Sequence, residues 1–307
     1  MNVTYYTQGR ELTGFDITLT KGTTIIDELK LPSVVDGKPI SHIATTIRKA
    51  FFKLKEKGIS EIKNVVIEEG ITSVCREAFA RIWIRINRVC WPASCTVIPD
   101  YCFYNSHIES ITGTGSVTII GTGAFSATHV KIFEWPSLCK EIPDDCFAVS
   151  SLERITGIDM AMVKNIGLEA FLGTKLQTFM WSPKCKSIPK GCFMGCRKLE
   201  QIDGLEGVTD IGKKAFLGTA IKVFRWPENV SATGIVSFLD CCDNLEEIRF
   251  EGTGIKDIDL KYFLSLKSIK KIDLSQLGAV NLRGTDIPEC AEIKKKLLLP
   301  YYVTEIN

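Results

Sequence analysis

Histidine is scarce in this chain: three residues in 307, at His42, His107 and His129. So few leave little material for a histidine-rich metal or catalytic centre. An excess of one charge is missing as well. With 38 Lys and Arg against 36 Asp and Glu, the net charge is +2. That is not the strongly basic balance with which proteins neutralise phosphates, so no nucleic-acid partner is expected. No run approaches the roughly 18 consecutive apolar residues that mark a membrane-spanning helix. The opening stretch MNVTYYTQGRELTGFDITLT is polar and has no apolar core of a signal peptide. The expectation is a protein without a transmembrane segment, cytoplasmic, with unconventional export to the cell surface as the alternative. No linker rich in Gly, Ser or Pro interrupts the chain, so one continuous domain is expected.

What is present is a repeat. Phenylalanine recurs at 79, 103, 125, 147, 171, 193, 216, 238 and 263, every 22 to 25 residues. Tryptophan recurs at 91, 135, 181 and 226, every 44 to 46. Units of two flavours therefore alternate. Each opens on an apolar-x-x-apolar segment, such as Val130/Phe133, Leu152/Ile155 or Leu176/Phe179. This predicts a short parallel strand. Pro136 and Pro227 follow their Trp directly and mark the strand end, because Pro has no N–H to donate. Then come a sharp bend and an "AF" or "CF" pair, predicted as one short helical turn with the Phe pointing inward to stack on the next. One flavour carries Trp135, Trp181 or Trp226 two residues after the second strand apolar. The other has Gly113, Gly157 or Gly204 there. The large ring is expected to fill the space the glycines leave, which predicts a buried Trp135 rather than a carbohydrate-binding stripe. A period of 20–29 residues with Leu or Ile at fixed offsets is the leucine-rich-repeat signature.

The segments NVVIEEGITSVCREAFA (64–80), SITGTGSVTIIGTGAFSAT (110–128) and SIPKGCFMGCRKLEQIDGL (187–205) carry a family likeness. With the lead-in LPSVVDGKPISHI (31–43), they resemble the BspA-like leucine-rich repeats over most of residues 31–250. The resemblance implies an α/β solenoid, with short parallel strands on one face and short helical turns or 3-10 segments on the other. It implies protein binding and no catalytic residues. Some members are surface proteins that bind host matrix or other cells, so an adhesin-like role is the alternative to an interaction scaffold. The expected organisation is an N-terminal cap and first lead-in over 1–50, the repeat array over 51–268, and C-terminal repeats and a cap over 269–307.

Twelve cysteines invite a chemical reading. Three pairs share a Cys-x6-Cys spacing: Cys95/Cys102, Cys139/Cys146 and Cys185/Cys192. Structural zinc sites use four ligands with tighter pairs. The repeats serve as their own alignment. Cys102, Cys146 and Cys192 precede a ladder Phe where other units have Ala78, Ala124, Ala170, Ala215 or Ser237. Cys95, Cys139 and Cys185 align with Val230. These are packing positions, and Cys behaves as a small hydrophobe. A disulfide within each unit stays open, because its geometry is invisible in a sequence. Three residues after the Phe stand Ser106, Thr128, Ser150, Thr174, Cys196, Thr219 and Cys241, a column of small groups expected to bond local backbone. Cys90 falls at an outward strand position, and Cys242 and Cys290 find no place in the pattern.

No catalytic constellation emerges. His107 and His129 occupy equivalent positions in adjacent units and are expected to be neighbours on a solvated rim. The Gly-rich stretch TGTGSVTIIGTG (112–123) lies inside the repeat and lacks a phosphate-binding pattern. No enzyme activity, metal, cofactor or small-molecule substrate is expected. Outward strand residues, by period-two alternation, are the candidates for binding a protein partner. The chosen set is Glu134, Arg154, Thr156, Thr178, Met180, Gln201, Asp203, Val223 and Arg225.

Overall fold

A computed structural model describes residues 2–232, 238–239, 242–252, 254–278 and 280–299. Ser237, Cys241 and the last residues of the C-terminal cap, 300–307, lie outside the described residues. The chain is a solenoid of stacked parallel strands with few short helices. It gathers into two compact units, Met1–Asp159 and Met160–Asn307.

In the first unit, β1 (Asn2–Gln8) and β2 (Glu11–Thr18) form an antiparallel hairpin. The sheet continues in parallel through His42–Ile43 and Ser73–Val74. A second sheet stacks β3 (Ile25–Leu31), Glu61–Ile67, Arg85–Cys90 and Ile111–Thr112, all parallel. Helix α1 (Ile47–Glu56) buries Ile47, Ala50, Phe51 and Leu54, the i, i+3, i+4, i+7 stripe of an amphipathic helix. The cap boundary drawn at residue 50 falls inside this helix. In the second unit, Thr178–Met180 pairs in parallel with Gln201–Asp203. Val223–Trp226, Glu247–Phe250, Lys271–Asp273 and Leu297–Leu298 form a four-stranded parallel sheet.

The phenylalanine ladder is the core of each unit. Phe79, Phe103, Phe125 and Phe147 are fully buried in the first, as are Phe171, Phe193 and Phe216 in the second. Successive rings stack at 5.4 Å (Phe79 on Phe103), 5.5 Å (Phe103 on Phe125) and 5.5 Å (Phe125 on Phe147), with interplanar angles of 13–16°. In the second unit, Phe193 lies 5.5 Å from Phe171 and 5.7 Å from Phe216. Burying one such side chain contributes about 1.5–3 kcal/mol.

The turns that carry these rings differ from the single helical turns that the pattern suggests. The residues two before and two after each Phe have positive φ: Glu77 and Arg81, Tyr101 and Asn105, Gly123 and Ala127, Asp145 and Val149. In the second unit they are Glu169 and Gly173, Gly191 and Gly195, Lys214 and Gly218. Reversal of φ at these places stops a helix from propagating. It also aims alternate N–H groups at the next unit. Glu77, Phe79 and Arg81 donate to the carbonyls of Asp100, Cys102 and Tyr104 at 3.2, 2.9 and 2.7 Å. Tyr101, Phe103 and Asn105 repeat this on Thr122, Ala124 and Ser126. At the start of the array, the Thr45 hydroxyl donates to the Arg76 carbonyl at 3.0 Å. The small-residue column behaves as expected at Ser106 and Thr128, whose hydroxyls donate to Phe103 and Phe125 carbonyls at 2.7 and 2.8 Å. Cys196 instead reaches back to the Phe171 carbonyl, at 3.0 Å. After Phe216 the register slips by one, because Phe216 N–H donates to Phe238 itself. Cys242 then takes the column position, with Sγ 3.0 Å from the Phe216 carbonyl. The alignment had placed Cys241 there.

The four repeat tryptophans are core, whereas Trp83, outside the pattern, is exposed. Trp91, Trp135, Trp181 and Trp226 are 1–3% exposed, so none forms a solvent-facing stripe. Each indole N–H donates to the backbone carbonyl four residues on: Cys95, Cys139, Cys185 and Val230, at 2.8–2.9 Å. Only a carbonyl and a small apolar side chain are needed, which explains why Val230 replaces Cys. The partnering of Trp and Gly strands is present, but its cause differs from ring-filling. A Cβ on Gly113 would collide with the Trp91 carbonyl, and one on Gly204 would lie 2.8 Å from the Trp181 carbonyl. Both glycines also have positive φ, 80° and 81°. They permit close backbone approach and a turn that residues with a Cβ adopt at a cost. Trp226 departs from the pattern and stacks on Phe250 at 5.1 Å.

Truncating Phe125→Ala should destabilise the protein by about 3–5 kcal/mol, measured by denaturant unfolding. Val149 is a β-branched residue at φ 58° with its side chain 62% exposed. Val149→Gly should therefore raise stability, by about 1 kcal/mol. A fall in unfolding midpoint for that variant would contradict the reading of the turns.

Candidate protein-interaction face

Strand pleating alternates the predicted face outward. In the first unit, Ile132 lies opposite Arg154 and Glu134 opposite Thr156. Glu134 and Arg154 are exposed, Thr156 is half-buried, and Phe133 between them is buried. In the second unit, Thr178 faces Gln201 and Met180 faces Asp203 in parallel register. Met180 is 54% exposed, Val223 is 38% exposed, and Thr178, Gln201 and Arg225 are exposed. Asp203 is half-buried and accepts from Gln201 Nε2 at 2.6 Å. Arg225 reaches Glu251 at 3.7 Å. The structure thus puts three chosen residues on neighbouring strands of the first unit and six on strands of the second.

The face is less uniform than period-two alternation suggests. In the first unit, no backbone hydrogen bond joins Ile111–Thr112 to Ile132–Glu134, and in the second none joins Gln201–Asp203 to Val223–Trp226. The hydrogen-bonded element is a Trp strand with the Gly strand that follows it. Trp135 N–H donates to Thr156 and Trp181 N–H to Asp203, both at 2.8 Å. Between Gln201–Asp203 and Val223–Trp226 the split opens a shallow groove, lined by Glu200, Gln201, Asp203, Lys222, Val223 and Arg225 among others. No residue type in the sequence marks such a split. The glycines that end the shorter strands are its only trace.

Beyond the chosen set, the second unit carries an ion network across two neighbouring strands, Glu247–Phe250 and Lys271–Asp273. Arg249 donates to Glu247 at 2.9 Å, and Lys271 bridges Glu247 at 3.0 Å and Asp273 at 2.8 Å. The Arg249 hydrogen bond, against the penalty of burial and with Lys271 adding to it, holds the Glu247 carboxyl below its ordinary value. By period-two alternation these residues too point outward. Their mutual pairing makes them structural rather than available.

The eleven described cysteines are free thiols, nine buried and two, Cys75 and Cys90, half-buried. Burial pushes the Cys102, Cys146 and Cys192 thiols well up, and Cys196 up to about 11. These thiols stay protonated, and thiolates are the reactive form. Cys90 receives the Thr112 hydroxyl at 3.9 Å. Cys290 is buried. His107 and His129 are neighbours, with ring centroids 4.5 Å apart and both rings exposed. Partial desolvation, then His129, Lys55 and Arg85, hold His107 below its ordinary value. Among the described residues, His, Cys, Asp and Glu form no group of three or more that could hold a metal ion. No helix among them is long and apolar enough to cross a membrane.

A parallel-strand solenoid with a unit of about 23 residues and a stacked Phe spine is a leucine-rich-repeat protein. The BspA type Leucine rich repeat region matches in six copies, over residues 45–164 and 164–281. The chain belongs to that BspA-type family. Among solved structures it is similar to a leucine-rich repeat protein from Bacteroides ovatus, at 18% identity and a TM-score of 0.67, covering 97% of this chain and 81% of that one. It also matches the leucine rich repeat protein of T. pallidum at 21% identity and a TM-score of 0.42, covering 71% and 85%. The pneumococcal vaccine antigen PcpA matches at 13% identity and a TM-score of 0.38, covering 97% and 95%. A comparison with curated protein sequences finds no match.

Replacing Glu247 by Gln should lower stability by about 1 kcal/mol or less, the scale of a partly exposed ion pair. A carboxyl held below its ordinary value stabilises the fold above the unfolded-state value, near 4.5. That contribution is lost as pH falls through the lowered value. Thermal melts of both proteins should therefore differ at neutral pH and converge on acidification.

Proposed function

We propose that this chain is a non-catalytic scaffold that binds a partner protein through the outward residues of its strands. The observation that carries the reading is the chemistry of that face. Its inward neighbours are consumed by packing, whereas Glu134, Arg154, Met180, Val223 and Arg225 are exposed. Apolar Met180 and Val223 stand among charges of both signs there, a mixture that suits a wet, non-obligate interface. Membership of a repeat family supports this, because solenoids present extended strand faces to protein partners. The chosen residues of each unit serve as a separate contact patch. Thr156, Thr178, Gln201 and Asp203 supply hydrogen-bonding groups beside the charged and apolar anchors.

The test reverses charge in each unit separately. Glu134→Arg with Arg154→Glu alters the first patch, and Asp203→Arg with Arg225→Glu alters the second. Affinity capture from native lysate, identified by mass spectrometry, should lose the partner in at least one double variant while both remain folded by circular dichroism. Capture unchanged in both variants would remove this face from consideration.

A further inference from the structure

Among the described residues, the two four-stranded sheets of the first unit each end in a strand with no hydrogen-bonded neighbour on one side, β1 in one and β3 in the other. Unpaired strand edges are templates for pairing with another chain, and proteins blunt them with charge, proline or a cover. The β3 edge is blunted. It carries Asp27, Glu28 and Lys30, with Lys63 on Asp27 at 2.7 Å and Lys30 near Glu28 at 3.7 Å. The Tyr5 hydroxyl further occupies the Lys30 carbonyl at 2.8 Å. β1, with the sequence NVTYYTQ, has neither charge nor proline, and its pairing with β2 shifts register once, between Tyr6 and Thr7. It is also, with β3, Glu61–Ile67 and β2, among the longest strands of the fold, at seven residues.

The direction of its backbone groups follows from the hairpin. Gln8 and Glu11 close it as a pair across Gly9 and Arg10. The Tyr6 carbonyl accepts from the Thr13 hydroxyl of β2 at 3.0 Å. Tyr6 and Gln8 therefore turn their peptide groups toward β2. By alternation, Val3 and Tyr5 turn theirs to the open side.

We propose that this open edge pairs with the same edge of a second copy of the chain, antiparallel about a twofold axis. An isologous edge contact sets like residues near one another, and any charge would then face its own kind. β1 has no charge to repel itself. Its Val, Thr and Tyr side chains are those that gain most from cross-strand pairing. Closed twofold dimers are the commonest assembly that such a self-complementary patch forms. The edge shares no residue with the strand face assigned to the partner protein, so either reading stands or falls alone.

Sedimentation velocity of the full chain over a concentration series tests this. The weight-average mass should double with concentration, and hydrogen exchange should show the Val3 and Tyr5 amides protected only in the dimer. Val3→Pro removes an open-side donor. Independently, Thr4→Lys with Tyr6→Lys keeps every backbone donor but sets like charges across the axis. Both should return the protein to monomer, with a melting temperature equal to that of the unaltered protein diluted below its dimerisation range. A monomer at the highest soluble concentration would overturn the proposal. So would a dimer that survives both variants in folded form, or one without protection at Val3 and Tyr5.

Discussion

The alternating-φ turn at the ladder phenylalanines from Phe79 to Phe216 is the constraint on which the rest depends. At Phe79, Phe103, Phe125, Phe171 and Phe193, three N–H groups of the turn bond the next repeat, and the ring between them stacks on its successor. Backbone and side chain thus enforce the same spacing at the same residue. The strands do not have to hold that spacing alone. This is why they can be two or three residues long, and why the strand face tolerates splits between Gly and Trp strands. The tryptophan then locks the far side of every second unit. Its ring is buried, and its N–H closes a local loop on the carbonyl four residues later, so the buried indole donor has a partner.

This division of labour also explains the cysteines. A position beside the ladder Phe must be small, because neighbouring units are held a ring's thickness apart. A position four after the Trp must offer a carbonyl and fill a small apolar space. Cys102 and Cys139 meet these demands as Ala78 and Val230 do. Repetition of a Cys-x6-Cys spacing therefore reflects the repetition of two packing slots. The family comparison agrees with the architecture, and the Bacteroides ovatus structure shares the fold at an identity too low to speak of function.

Much of this was legible in the sequence, for reasons that particular residues show. Phe79 to Phe216, the strand apolars and the Trp–Gly alternation are side-chain demands, and side chains are what a sequence records. What stayed hidden lies in the backbone. The left-handed positions hold Glu77, Tyr101, Asn105, Ala127 and Val149 as well as glycines, so no residue type announces them. The one-residue slip at Phe238 moved Cys242 into a slot that counting had assigned to Cys241. The outward residues were found by alternation, yet alternation could not tell Glu247, tied to Arg249 and Lys271, from Glu134, which is exposed on the strand face. Pairing between units is a three-dimensional property, and it decides which polar groups remain free to meet a partner.

The turn ladder also gives each unit an electrical direction. In a parallel strand pair, peptide groups point alternately both ways and nearly cancel. In the turns they do not. The peptide joining Asp100 to Tyr101 sends its carbonyl back to Glu77 and its N–H forward to Thr122, and those joining Cys102 to Phe103 and Tyr104 to Asn105 do the same. Dipoles of about 3.5 D each thus add head to tail in three parallel rows. A row of this kind carries partial negative charge at the end where carbonyls emerge and partial positive charge where N–H groups emerge. The Thr45 hydroxyl on Arg76 is the sort of donor that the negative end attracts. At the opposite end of a row, acceptors and anions are the favoured neighbours.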